Sequence, residues 1–216
     1  MKAFTLLLAF LLLATHRVLA EDASPTPTAP FVASVPEKAH WTITFSYGSP
    51  GAPPLAKLAV PTGHPAQIET IKSGGSYRFV VSYADGSTQT FDKIGAYVAT
   101  TTATGVQLIR VSPEFTPYIY YDADFLFAQW VRDTGRSAYK GIATQNGKRC
   151  FHYLDPAQGE AWIDTQSRLP VTTQDSAATR ATFQFSEPQD QLVFPDAEIK
   201  AVDHEEHVIK AFNSLR

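Results

Sequence analysis

The chain has 216 residues, 44% of them hydrophobic, with 18 Lys and Arg against 21 Asp and Glu and a formal net charge of −3. That composition excludes bulk disorder, and the acidic balance excludes a nucleic-acid binder, which needs a basic face. A chain of this length buries roughly 70% of its unfolded surface and needs no covalent staples to fold.

Met1–Ala20 reads as a secretory signal peptide. Lys2 precedes an apolar run from Ala3 to Ala14, and Val18-Leu19-Ala20 offers a small-residue exit. Cleavage after Ala20 removes Lys2 and Arg17, leaves 16 basic against 21 acidic residues, and moves the net charge to −5. The apolar run falls short of the ~20 residues that span a bilayer, and no second such run follows. The mature chain is therefore expected to lack a transmembrane segment. Cys150 is the one cysteine, so no internal disulfide forms, although an exported environment would permit one. It stands far from Glu21, so no lipoprotein cysteine follows the cleavage site. No Asn-x-Ser/Thr glycosylation sequence occurs. These features place the protein in a bacterial periplasm or outside the cell.

Glu21–Lys38 is rich in Pro, Ala, Ser and Thr and is expected to be a flexible lead. Residues 39–216 then form a single β-rich domain. His40–Tyr47 alternates cleanly, with Trp41, Ile43, Phe45 and Tyr47 on one face. Ile68–Lys72 is a further short strand. Ser76–Ala84 repeats the pattern with Tyr77, Phe79, Val81 and Tyr83. Asp85-Gly86 then predicts a type I′ hairpin into Ser87–Lys93, since both central residues of that turn need positive φ. Ala96–Ala103 and Val106–Ser112 form a further hairpin around Gly105. Asn146-Gly147 joins Ala138–Gln145 to Lys148–Leu154 in the manner of Asp85-Gly86. Trp162-Ile163, Leu169–Gln174 and Thr179–Ser186 complete about ten strands, mostly joined by short turns. That order indicates a largely antiparallel sheet.

Helices are few. Asp122–Val131 forms one short buried helix, with Asp122 as its N-cap. Asp203–Asn213 forms a C-terminal helix. Asp203 and Glu206 have capping-box spacing there, and Val208, Ile209 and Phe212 share one face. This helix is expected to pack on the sheet, over an edge or an open mouth.

Reaction chemistry is sparse. His204 and His207 are three apart on that helix, unlike the four-residue spacing of zinc-protease helices. Glu205 and Glu206 beside them read as a solvated acidic turn. Cys150 and His152 share a strand face, but no helix N-terminus or oxyanion loop precedes the cysteine. Gly74-Gly75-Ser76 leads into a strand and is no nucleophile elbow. Asp164 ends a strand and reads as a turn former. No phosphate-binding glycine loop occurs. No catalytic residue, metal site or cofactor is expected.

The aromatic load carries more information, with 14 Phe, 9 Tyr and 3 Trp. Trp41, Phe45, Tyr77, Phe79, Tyr83, Phe151, Trp162, Phe183 and Phe185 all fall on strand faces and are the candidate ligand-binding residues. Two readings follow. In one, these rings fill a closed core. In the other, they line a curved sheet whose inner face stays partly open, as an apolar groove for acyl chains or hydrophobic peptide.

A set of short elements points further. They are Tyr139-Lys140-Gly141, Asn146–Tyr153, Glu160-Ala161-Trp162-Ile163-Asp164, Leu169-Pro170-Val171 and Phe183-Gln184-Phe185. Together they make a hairpin, a strand ending in Trp-Ile-Asp, and a Leu-Pro that opens the next strand. This stretch resembles the LolA-like and LolB-like periplasmic lipoprotein-carrier superfamily. The resemblance implies a mainly β (α+β) fold: a curved antiparallel half-barrel with one or two short helices, including a C-terminal one. It also implies a hydrophobic cavity for lipid. The leading expectation is an exported, non-enzymatic binding protein with a pocket for a lipid, acyl chain or lipoprotein. The alternative is an envelope structural or protein-interaction domain with a closed core and a protein partner.

Overall fold

Alternation along the first strand sets the architecture. In β1 (Lys38–Tyr47) Ala39, Trp41, Ile43 and Phe45 are buried, while Thr44 and Ser46 face solvent. The computed structural model describes residues 26–48, 63–111, 125–189 and 191–214. Within them lie β2 (Pro65–Ser73), β3 (Ser76–Tyr83), β4 (Thr88–Ile94), β5 (Tyr97–Thr102) and β6 (Gly105–Arg110). Helix α1 (Leu126–Ala138) follows. Then come β7 (Tyr139–Gln145), β8 (Lys148–Asp155), β9 (Gly159–Asp164), β10 (Pro170–Gln174) and β11 (Thr179–Ser186), and finally α2 (Asp196–Asn213).

All eleven strands join one antiparallel sheet, ordered β6-β5-β4-β3-β2-β1-β11-β10-β9-β8-β7. Each neighbour is also a chain neighbour except β1 and β11, whose pairing fastens the two halves together. The sheet stays open, with β6 and β7 at its edges. The chain passes from one edge to the other through α1.

Register puts large side chains in rows across one face. Phe185, Trp41, Thr70, Phe79 and Phe91 are successive cross-strand partners, and so are Phe183, Ile43, Ile68 and Val81. We call this the inner face, because α1 covers it: Phe125, at the helix start, packs its ring edge-on to Trp41 at 5.5 Å. The other helix takes the opposite face. There Arg78, Asp92 and Ala99 are cross-strand partners. Asp92 is fully buried and receives both Nε and Nη2 of Arg78, at 2.8 and 2.6 Å. Glu198 of α2 accepts a 2.7 Å bond from Thr101.

Several local expectations change. At Asn146-Gly147 both residues take positive φ, 50° and 75°, as a type I′ turn demands. At Asp85-Gly86 only Gly86 does, at 83°. Gly86 N donates to Tyr83 O, and Asp85 accepts from the Ser87 amide and hydroxyl. That is a longer loop with Gly at its left-handed position, not a type I′ turn. The central helix runs to Ala138 and starts at Leu126, behind Phe125 in the left-handed region at φ 54°. The proposed cap Asp122 lies outside the described residues. The C-terminal helix begins at Asp196, about two turns before Asp203, with Asp196 and Glu198 in its first turn. Acidic groups there meet the positive end of the helix dipole.

The N-terminal segment also differs from expectation. Residues 26–37 form no helix or strand, yet Val32 and Val35 belong to the core. Ala33 N donates to Arg168 O, and Lys72 Nζ donates to Val35 O. Packing on the core thus extends to Val32 and Val35, ahead of β1. Phe31 lies against α1 where the helix carries Gly135; a Cβ there would stand 2.5 Å from Phe31 Cγ.

Candidate functional site

Burial along the inner face is uneven, and this creates the site. Phe125 fills the middle. It is fully buried and meets Trp41 at 5.5 Å, Phe185 at 5.7 Å and Phe183 at 6.3 Å. Toward β8, Tyr139 packs on Phe151 and Tyr153, and Phe31 meets Tyr153 at 6.4 Å. Toward β2, β3 and β4, described residues line a cavity of about 470 Å³.

Its large apolar walls come from four strands and one helix: Phe45 of β1, Ile68 of β2, Val81 of β3, Phe91 of β4 and Phe127 of α1. Phe127 stands edge-on to Phe45 at 5.6 Å. Tyr47, His64, Pro65, Tyr83 and Thr179 also line it, with Gly63. The Tyr47 hydroxyl donates to Pro65 O at 2.7 Å, and its ring meets His64 edge-on at 5.2 Å. The Tyr83 hydroxyl donates to Gln89 Oε1 at 3.4 Å. A second hollow of about 310 Å³ shares Gly63 and Tyr83 and adds Ala84, Asp85 and Ser87. The arrangement is an apolar chamber with a more polar neighbour. Its size lies within the ~300–1,000 Å³ of small-molecule sites.

Of the nine candidate residues, Phe45 and Tyr83 line this cavity. Trp41, Phe183 and Phe185 lie beneath Phe125. Tyr77 and Phe79 stack on each other at 5.6 Å on the inner face, outside the cavity lining. Phe151 lies under the Arg168 guanidinium, 4.4 Å from its ring centre. Trp162 is on the outer face, since its neighbours Ala161 and Ile163 point into the core. It stacks flat on His152 at 5.0 Å. Sequence reading missed Ile68, Val81, Phe91 and Phe127 as lining residues. Val81 was legible, because it lies between Phe79 and Tyr83 on one strand face. Phe127 was not, because it reaches the cavity from a helix.

The groups that invited reaction chemistry have other roles. Cys150 is fully buried; burial, with the nearby Asp164 charge, pushes its thiol up to about 11. His152 pairs through Nε2 with Glu160 at 3.1 Å. Burial opposes the charged form of Asp164, but amide donors from Ser167 and Gln166, each at 2.8 Å, outweigh it and keep the carboxyl below its usual range. Asp164 is thus a turn former. His204 and His207 are exposed on α2. Among the described residues no three His, Cys, Asp or Glu side chains gather as metal ligands. No helix among them is long and apolar enough to cross a membrane.

No protein-family model and no curated protein matches the chain in sequence. Among solved structures it is similar to lipoprotein LppX of Mycobacterium tuberculosis, at 10% identity over 74% of this chain and 90% of that one, with TM-score 0.41. It is similar to LprF of Mycobacterium bovis, at 11% identity over 74% and 89%, with TM-score 0.39. A LolA superfamily protein of Nitrosomonas europaea matches at 10% identity over 75% and 90%, with TM-score 0.34.

Proposed function

We propose that this is an exported, non-enzymatic binding protein that shelters the apolar part of a lipid, acyl chain or lipoprotein in the cavity between β1–β4 and α1. One observation carries the reading. Among the described residues the inner face is packed under Phe125, while beside Phe127 they line a cavity whose walls are mainly apolar side chains. A protein stabilised by core burial alone gains from filling such a space, since empty apolar volume costs stability. The Leu-Pro and Trp-Ile-Asp elements of the carrier superfamily support the same reading. So does the signal-peptide pattern of Met1–Ala20, which would deliver the domain to the periplasm or beyond.

The test is titration of the mature protein with a polarity-sensitive fluorescent fatty acid. The probe brightens on the folded protein and palmitate displaces it. Val81→Trp fills the chamber and removes the signal, while its unfolding midpoint shows that the domain still folds. A probe that stays dark on the unaltered protein contradicts the proposal and favours an envelope interaction domain.

A further inference from the structure

Two donors on the β8 side of the inner face are sealed from solvent without a hydrogen-bond partner among the described residues: Nη1 of Arg168 and the hydroxyl of Tyr153. Buried polar groups in folded proteins are nearly always paired, and an unpaired one is costly. The two belong to one place. Phe151 and Tyr153 are two apart on β8 and both face inward, roughly 7 Å apart along the strand. The Arg168 guanidinium stands over the Phe151 ring, 4.4 Å from its centre. Its charge reaches the neighbouring phenol: burial pushes the Tyr153 hydroxyl up to about 12, and the Arg168 charge opposes the rise. Tyr153 thus keeps its proton at neutral pH and is available as a donor.

The backbone holds the guanidinium in position. Arg168 closes the turn between β9 and β10: its N donates to Asp164 O at 3.0 Å, and Asp164 N donates to Leu169 O at 2.9 Å. It takes φ 61°, a left-handed conformation that is costly for an L side chain. The N-terminal segment lies across the pair. Phe31 meets Tyr153 edge-on at 6.4 Å, and Ala33 N donates to Arg168 O at 2.9 Å. Arg168 as a whole is half-buried, so the side chain keeps contact with solvent.

An aromatic face offsets part of a guanidinium charge but gives its N–H groups no oxygen. The group that satisfies both donors carries negative charge and at least two acceptor oxygens, which the guanidinium fork recognises well. We infer that Arg168 and Tyr153 form an oxyanion-binding site, with the guanidinium holding the charge and the phenol donating to a second oxygen. The ligand chemistry is that of a phosphate or carboxylate, either free or as the acidic end of an amphiphile. Neither residue lines the cavity beside Phe127, so this site stands independently of the cavity reading.

The experiment is equilibrium dialysis of the mature protein against radiolabelled inorganic phosphate at fixed ionic strength, followed by displacement with hexyl phosphate. Saturable binding of one equivalent, not displaced by chloride, is expected. Displacement by hexyl phosphate at lower concentration than by unlabelled phosphate assigns the site to an amphiphile's headgroup; equal potency assigns it to the free anion. Arg168→Gln abolishes binding. Tyr153→Phe removes only the hydroxyl and weakens binding on the order of tenfold. Without phosphate, Tyr153→Phe unfolds at no lower urea than the unaltered protein, because the hydroxyl it loses has no partner. That variant carries the test if Arg168→Gln fails to fold.

No saturable binding of either phosphate by the unaltered protein overturns the inference and leaves the cavity reading standing. Binding that persists unchanged in Arg168→Gln overturns it too, and binding unchanged in Tyr153→Phe removes the phenol from the site.

Discussion

Thr101 donates from Oγ1 to Oε1 of Glu198 at 2.7 Å, tying β5 to a helix 97 residues further along the chain. Glu198 is 2% exposed, and its carboxyl lies beside that of Asp92. Burial pushes the Glu198 carboxyl above its ordinary value of 4.5; the Thr101 bond opposes the rise and the neighbouring Asp92 carboxyl adds to it. The folded protein thus holds this proton more tightly than the unfolded chain does. Its contribution to stability is complete below the unfolded value, about pH 4.5, and is lost as pH rises through the raised folded value. Glu198→Gln mimics the neutral acid, so it should flatten that dependence and unfold at higher urea than wild type near neutral pH. Glu198→Ala loses the Thr101 bond and should be weaker by ~1 kcal/mol even in acid. A wild-type slope retained in Glu198→Gln would place the titration elsewhere.

Phe125 is the wedge that shuts the centre of the inner face. Truncating a fully buried Phe costs ~3–5 kcal/mol. Phe125→Ala should therefore lower the unfolding free energy measured by urea titration by that amount. A change under ~1 kcal/mol would mean that the inner face repacks without the ring.

Helix propensity and packing disagree at Gly135. Replacing a helical Gly by Ala favours the helix by ~1 kcal/mol. Here the new Cβ would stand 2.5 Å from Phe31 Cγ. Overpacking of this kind costs ~1–3 kcal/mol, so Gly135→Ala should destabilise. Adding Phe31→Ala to it should restore part of the loss, because the clash has gone. The double-mutant cycle measures the contact, and additive effects would show that the two residues do not meet.

Cys150 has a buried thiol pushed up to about 11. In the native protein, alkylation by iodoacetamide at mildly alkaline pH should be slower than in urea by on the order of a hundredfold or more. Rapid native labelling would return Cys150 to the list of reactive nucleophiles.

The sheet was legible because alternation and turn chemistry are local. Thr179–Ser186 stands where its pattern placed it, and Asn146-Gly147 turns as its backbone freedom requires. Which strand face looks inward was not local. Trp162 is larger than Ala161 and Ile163, yet it lies on the outer face, because the hairpin register aligns Ala161 with the buried Tyr153 and Ile163 with the buried Phe151. The C-terminal helix start was masked by the capping-box spacing at Asp203, whereas Pro195 precedes the true first turn. Val32 and Val35 were hidden in a Pro-rich composition, and only tertiary packing explains their burial. The cavity needed Phe127, whose position depends on where α1 crosses the sheet.

Native mass spectrometry of the mature protein, exported by its own signal peptide and purified without detergent, tests the central claim most directly. The account expects a population heavier than the bare chain by the mass of a bound lipid, and loss of that adduct in Val81→Trp. A bare mass throughout, unchanged after addition of excess palmitate, would contradict it.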